Sequence, residues 1–158
     1  MADQVLLVVD GITGESQDKQ YPGSIEVMSY SFGATNSLRI TAGGGGAAGR
    51  SSFQDLHFTT NVSKASPALM ARCASGQHIP RAVLHIRKTG ETPFEFLTIT
   101  LNNVIVTSFS EAYGGELPVE SFSIAFGSVV FEYKQQRSDG GIGTITHFNW
   151  DLVRNRLI

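Results

Sequence analysis

The chain has 158 residues, enough for one domain with a proper core and too few for two ordinary ones. Apolar residues make up 41% and charged residues 16%, which excludes wholesale disorder, and a net charge of −2 offers no bulk attraction to nucleic acid or acidic membranes. Cys73 is the only cysteine, so neither an internal disulfide nor a cysteine-based zinc cage can form, as suits a chain folded in a reducing compartment.

The opening "MADQVLLVVDG" has no positively charged leader region, and its apolar run, Val5 to Val9, is too short for a signal peptide or a membrane span. Export by the general secretory route is therefore not expected. "QVLLVVDG" reads as a strand buried on both faces and closed by Asp10-Gly11. "GSIEVMSYSFG" alternates, which places Ile25, Val27, Ser29 and Ser31 on one face and Glu26, Met28, Tyr30 and Phe32 on the other.

"GGGGAAGRSS", Gly43 to Ser52, comes one residue short of a phosphate-gripping loop. Such a loop needs a buried strand before it and a helix after it, so that the helix N-terminus meets the phosphate. Here the following "SSFQDLHFTT" has strand periodicity, "SLRITA" before it is short and alternating, and Arg50 replaces the lysine. Nucleotide binding is excluded. Two readings of the loop stay open: a passive surface connection, or a segment that orders against a neighbouring subunit.

"SFQDLHFTTNV" is a strand with Gln54, Leu56 and Phe58 opposite Phe53, Asp55 and His57. "SPALMARCASG" is the one helix, with Ser66 as the expected cap, Pro67 in the first turn, Leu69 and Cys73 stacked at i and i+4, and Gly76 ending it. Cys73 reads as a small packed hydrophobe. "RAVLHIRK" and "PFEFLTITLNNVIVTSFS" follow, divided by the "TGET" turn, and His85 shares with Val83 and Arg87 a face read as solvated. "PVESFSIAFGSVVFEYKQQ" and "TITHFNWDLV" are divided by "RSDGGIG". Short strands at this spacing predict a sandwich or barrel.

No catalytic, metal-ligating or cofactor-binding constellation emerges. The four histidines, His57, His78, His85 and His147, lie at no ligand spacing, and Asp55 with His57 is the only tempting pair. Gly14-Glu15-Ser16 lacks the pattern of a strained nucleophile turn.

"GITGESQDKQYPGSIEVMSYSFG" resembles the opening signature of the Hcp family, the haemolysin-coregulated tube proteins of the bacterial type VI secretion system. The likeness continues through "GGGGAAGRSSFQDLHFTTNVSKASPALMARCASGQHIPRAVLHIRK" and "FEFLTITLNNVIVTS" to "FEYKQQRSDG" and "FNWDLVRN". Tyr21-Pro22 stands where the family usually has histidine and another polar residue, and "SEAYGGELPVESF" is shorter than is common there. The resemblance implies a mainly β fold, a β-barrel-like pair of antiparallel sheets flanked by one short α-helix, as a single tube domain over residues 1–158. It implies hexameric rings stacked into a hollow tube, with sheath, spike and effector proteins as partners. It also implies residence in the bacterial cytoplasm before firing and secretion afterwards, with no nucleic acid, membrane insertion or cofactor.

In that setting the ring contact is expected at Gly43, Gly44, Gly45, Gly46, Gly49 and Arg50, and a rim hairpin at Lys88, Gly90 and Glu91. Ser29 and Ser31 are candidates for lumen and effector contact. Their alternative is a place in the core beside Ile25 and Val27, with the hydroxyls hydrogen-bonded. The competing function is a monomeric β-barrel that binds a sugar or peptide beneath the glycine loop.

Overall fold

The computed structural model describes residues 3–37 and 51–158. In chain order its elements are β1 (Asp3–Val9), β2 (Ile25–Ser31), β3 (Ala34–Asn36), β4 (Ser51–Phe53), β5 (Leu56–Asn61), α1 (Ser66–Ser75), β6 (Ile79–Lys88), β7 (Phe94–Ala112), β8 (Val119–Gln136), β9 (Ile142–Asp151) and β10 (Arg156–Leu157). The expected mainly β, one-helix fold is present. Its main sheet runs β8-β5-β2-β1-β6-β7, and β7 pairs back onto β8, so six antiparallel strands close into a barrel. Closure removes the open edges that a flat sheet would leave. The strands β9 and β10 extend the sheet beyond β8, and β3 with β4 forms a separate ribbon.

The barrel interior is filled from every strand, with Leu7, Phe58, Leu84, Ile99, Phe122 and Ile124 among its most buried side chains. The rings of Phe58 and Phe122 stack at 5.1 Å across the β5–β8 ladder. Beside the barrel, β8 leaves β5 after Ile124 and takes β9 as its partner from Ser128 onward. The space where β5 and β9 part is filled by Phe32, Phe53, Phe126, Phe148 and Trp150, with centroids about 6 Å apart. Phe53 thus packs inward from the β3–β4 ribbon and does not share a face with His57.

The first strand is buried on both faces, as its sequence predicts. Leu7 points into the barrel, and its neighbour Leu6 is equally buried on the outside. Residues 10–24 fold over that outer face. Gly14 and Gly23 close the strap by a backbone hydrogen bond of 2.7 Å.

The helix forms where expected, and Gly76 ends it with φ 68, a left-handed conformation that an L side chain resists. Its start differs. Ala65 is the N-cap, and Ser66 is the first helical residue, its hydroxyl accepting the Ser63 N–H at 3.0 Å. The hydroxyl closes the preceding turn instead of capping the helix.

Strict alternation in β2 also fails. Val27 pairs with Thr60 and Ser29 with Thr59, so two residues of β2 oppose one step of β5, and Met28 is the extra residue of a bulge. The bulge puts Met28 and Ser29 outside in succession. Tyr30 and Phe32 then join Ile25 and Val27 on the core side, and Ser29 and Ser31 stay exposed. Removing the extra residue keeps this facing, whereas removing a paired one reverses it. Deletion of Met28 is expected to leave the near-UV circular dichroism spectrum unchanged. Deletion of Glu26, which turns Ile25 toward solvent, is expected to cost about 2–3 kcal/mol in urea unfolding.

Candidate functional site

The bulge in β2 aligns its two exposed serines with polar residues on three further strands. One cross-strand row runs Ser31, His57, Ser123, Ser108. The next runs Ser29, Thr59, Ser121, Ser110. Together they form a hydroxyl-rich stripe across β2, β5, β8 and β7 on the outer surface of the barrel. A second bulge, at Thr107, brings Ser108 into that stripe while Phe109 packs against the core.

Asp55 anchors one end. Its carboxylate accepts a hydrogen bond from the Thr107 hydroxyl at 2.7 Å. That proton being committed, Ser123 donates to Thr107 and Ser108 donates to Ser123. The relay accounts for the buried Ser123 hydroxyl, which is 2% exposed. Among the described residues no hydrogen bond joins Asp55 to His57, so the pair that the sequence offered as a dyad is not assembled. Nor do three or more His, Cys, Asp or Glu side chains gather into a metal cluster among the described residues.

Lys88, Gly90 and Glu91 lie exposed at the β6–β7 turn, where the Lys88 ammonium sits 5.8 Å from the Phe96 ring centroid. The glycine-loop candidates Gly43, Gly44, Gly45, Gly46, Gly49 and Arg50 lie outside the described residues. Cys73 is half-buried against the core, as a small apolar residue would be. No described helix is long and apolar enough to cross a membrane.

Sequence reasoning missed a second polar assembly beneath the strap. The face of Val83, His85 and Arg87, expected to be solvated, is covered by residues 10–24. Arg87 is 5% exposed, ion-paired with Asp18 and hydrogen-bonded to Gln4 Oε1 at 2.7 and 2.9 Å. The Tyr21 ring stacks on His85 with centroids 3.9 Å apart. The Tyr21 hydroxyl donates to Glu95 Oε1 at 2.8 Å. His85 Nδ1 lies 2.8 Å from the same oxygen, a close approach without the alignment of a full hydrogen bond. Thr98 donates to the other carboxylate oxygen. Burial raises the Tyr21 hydroxyl well above its ordinary range, and the hydrogen bond to Glu95 and its charge add to the rise. Burial alone would raise Glu95 as well, but contacts from His85, Tyr21 and Thr98 outweigh it and hold the carboxyl below its usual range.

Tyr21 therefore clamps the strap to the sheet through an ionised Glu95. A carboxyl with a depressed folded-state pKa contributes stability above its unfolded pKa, about 4.3, and loses it as pH falls through the folded value. The Glu95→Gln variant is expected to be less stable than the parent at pH 7. That deficit should shrink progressively below about pH 4, as read from urea midpoints across a pH series.

With this geometry established, comparison with known proteins is specific. The family model described as type VI secretion system effector, Hcp, matches residues 6–133. The chain is 37% identical to Protein hcp1 of Pseudomonas aeruginosa over 159 aligned positions, covering 98% of each chain. Its structure superposes on a type six secretion system protein with a TM-score of 0.90 at 27% identity, covering 98% of this chain and 99% of the other. It superposes on Hcp1 from Salmonella typhimurium with a TM-score of 0.79 at 32% identity and full coverage of both. A match of this extent in sequence and fold establishes kinship: the chain belongs to the Hcp family of type VI secretion proteins.

Proposed function

We propose that residues 1–158 form one tube domain with a structural, non-enzymatic role. Six copies close a ring, and rings stack into a hollow tube that the type VI apparatus carries out of the bacterial cytoplasm. Sheath, spike and effector proteins are its partners, and neither nucleic acid nor membrane insertion is involved. A single off-axis contact repeated by rotation closes such a ring and leaves two rims for stacking. The glycine loop Gly43 to Arg50 and the turn bearing Lys88, Gly90 and Glu91 are the contacts this reading assigns to the ring and its rim.

The observation that carries the reading is the exposed hydroxyl stripe centred on Ser29 and Ser31. A surface of serine and threonine with one histidine, His57, and without large apolar side chains or carboxylates in its two rows, stays hydrated and grips a passing protein weakly. That is the wall a conduit requires, and effectors held in the lumen would meet these two serines. The family relationship over the whole chain supports the same reading.

Light scattering on a sizing column is expected to give a mass near six chains, with ring-shaped particles in micrographs of that peak. A monomer at every concentration would overturn the tube reading and favour the monomeric binding module. Replacing Ser31 with Trp should leave the ring mass unchanged and lower effector co-purification by at least several-fold. Unchanged co-purification would remove Ser31 from the lumen wall.

A further inference from the structure

The β7–β8 hairpin ends in a turn whose apolar side chains have no place in a lone subunit. Leu117 is 71% exposed and Tyr113 69%. Glu111 and Glu116 are exposed at the same tip, and none of the ion pairs among the described residues involves either of them. The tip is thus an apolar knob with an acidic collar.

Lower on the same hairpin lies a notch of about 190 Å³, lined by His78, Asn103, Ile105, Ala125, Phe126 and Gly127. A notch of that volume has room for one large side chain. The backbone builds it in advance. Asn103 adopts φ 53, a left-handed conformation uncommon outside glycine, and is skipped by the ladder, in which Asn102 pairs with Ser128 and Val104 with Phe126. Gly127 lies across from it, where a Cβ would meet the Asn103 side chain at 3.4 Å. His78 Nδ1 lies 2.9 Å from Asn103 Oδ1 and fixes that wall. Arg81, exposed, stands opposite Asn102 on β6. The notch therefore has an apolar floor and a cationic margin.

Knob and notch match in size, polarity and charge. They cannot meet within one chain, because Leu117 and Ala125 are eight residues apart, roughly 26 Å along an extended strand. We infer that the β7–β8 tip of one copy seats Leu117 in the His78–Gly127 notch of the next copy, with Glu116 facing Arg81. This rests on the reading that copies of the chain assemble. Because the two patches differ, the contact is head-to-tail and repeats around a ring or along a stack.

The test pairs Leu117→Cys with Ala125→Cys in a Cys73→Ala background, followed by mild oxidation and a non-reducing gel. Covalent multimers from the double-cysteine protein, absent from either single-cysteine protein, are the expected result. Within that background Glu116→Arg or Arg81→Glu alone should reduce the cross-linked fraction several-fold, and the two together should restore it. No multimers from the double-cysteine protein, or dimers from Leu117→Cys alone, would overturn the contact. Light scattering on the parent separates the two levels: rings without cross-links refute only this contact, and monomers without cross-links refute the tube reading with it.

Discussion

Everything in this molecule depends on the long antiparallel ladder between β7 and β8. It runs from Leu97↔Tyr133 to Ala112↔Val119 and returns the sheet onto itself. Without that pairing the six strands would be an open sheet with two exposed edges and a half-covered apolar face. With it, Leu7, Phe58, Ile99 and Phe122 meet in one interior. The same ladder continues past β5, and its upper half carries β9 and the aromatic cluster around Phe53.

Two bulges, together with a break in the ladder at Asn103, then decide which residues the closed barrel shows to the outside. Met28 turns Ser29 and Ser31 outward and Tyr30 inward. Thr107 brings Ser108 beside Ser123. Asn103 opens the notch between His78 and Gly127. A bulge absorbs one extra residue, so the residues beyond it keep their facing against the partner strand while their alternation in sequence shifts by one position. Surface chemistry here is set by insertions of single residues as much as by the composition of the strands.

The strap over β1 and β6 solves a different problem. The apolar Leu6 on the outer face would otherwise meet water, and the strap that covers it is tied down by polar groups: Asp18 to Arg87, and Tyr21 to Glu95 with His85 beneath the ring. Arg87 is nearly buried and is satisfied by its carboxylate and amide partners, as a buried guanidinium must be. Tyr21 is thereby given a structural task through its ring and its hydroxyl.

Local sequence determined the elements with short-range causes. The apolar run of β1, the turns at Gly90 and Gly140, and the helix with its Gly76 end each follow from neighbouring residues. The order of motifs along the chain carried the family. The hydroxyl stripe was only half legible, because Ser29 and Ser31 are visible in a single strand but their facing turned on a bulge that alternation does not mark. Its other members, His57, Thr59, Ser108, Ser110, Ser121 and Ser123, come from strands far apart in the chain, and only long-range pairing places them in register. The burial of His85 and Arg87 was likewise hidden, since a strap from residues 10–24 covers a face that its own strand pattern presents to solvent. Sequence sets what each segment prefers; long-range pairing decides which face of that segment meets water.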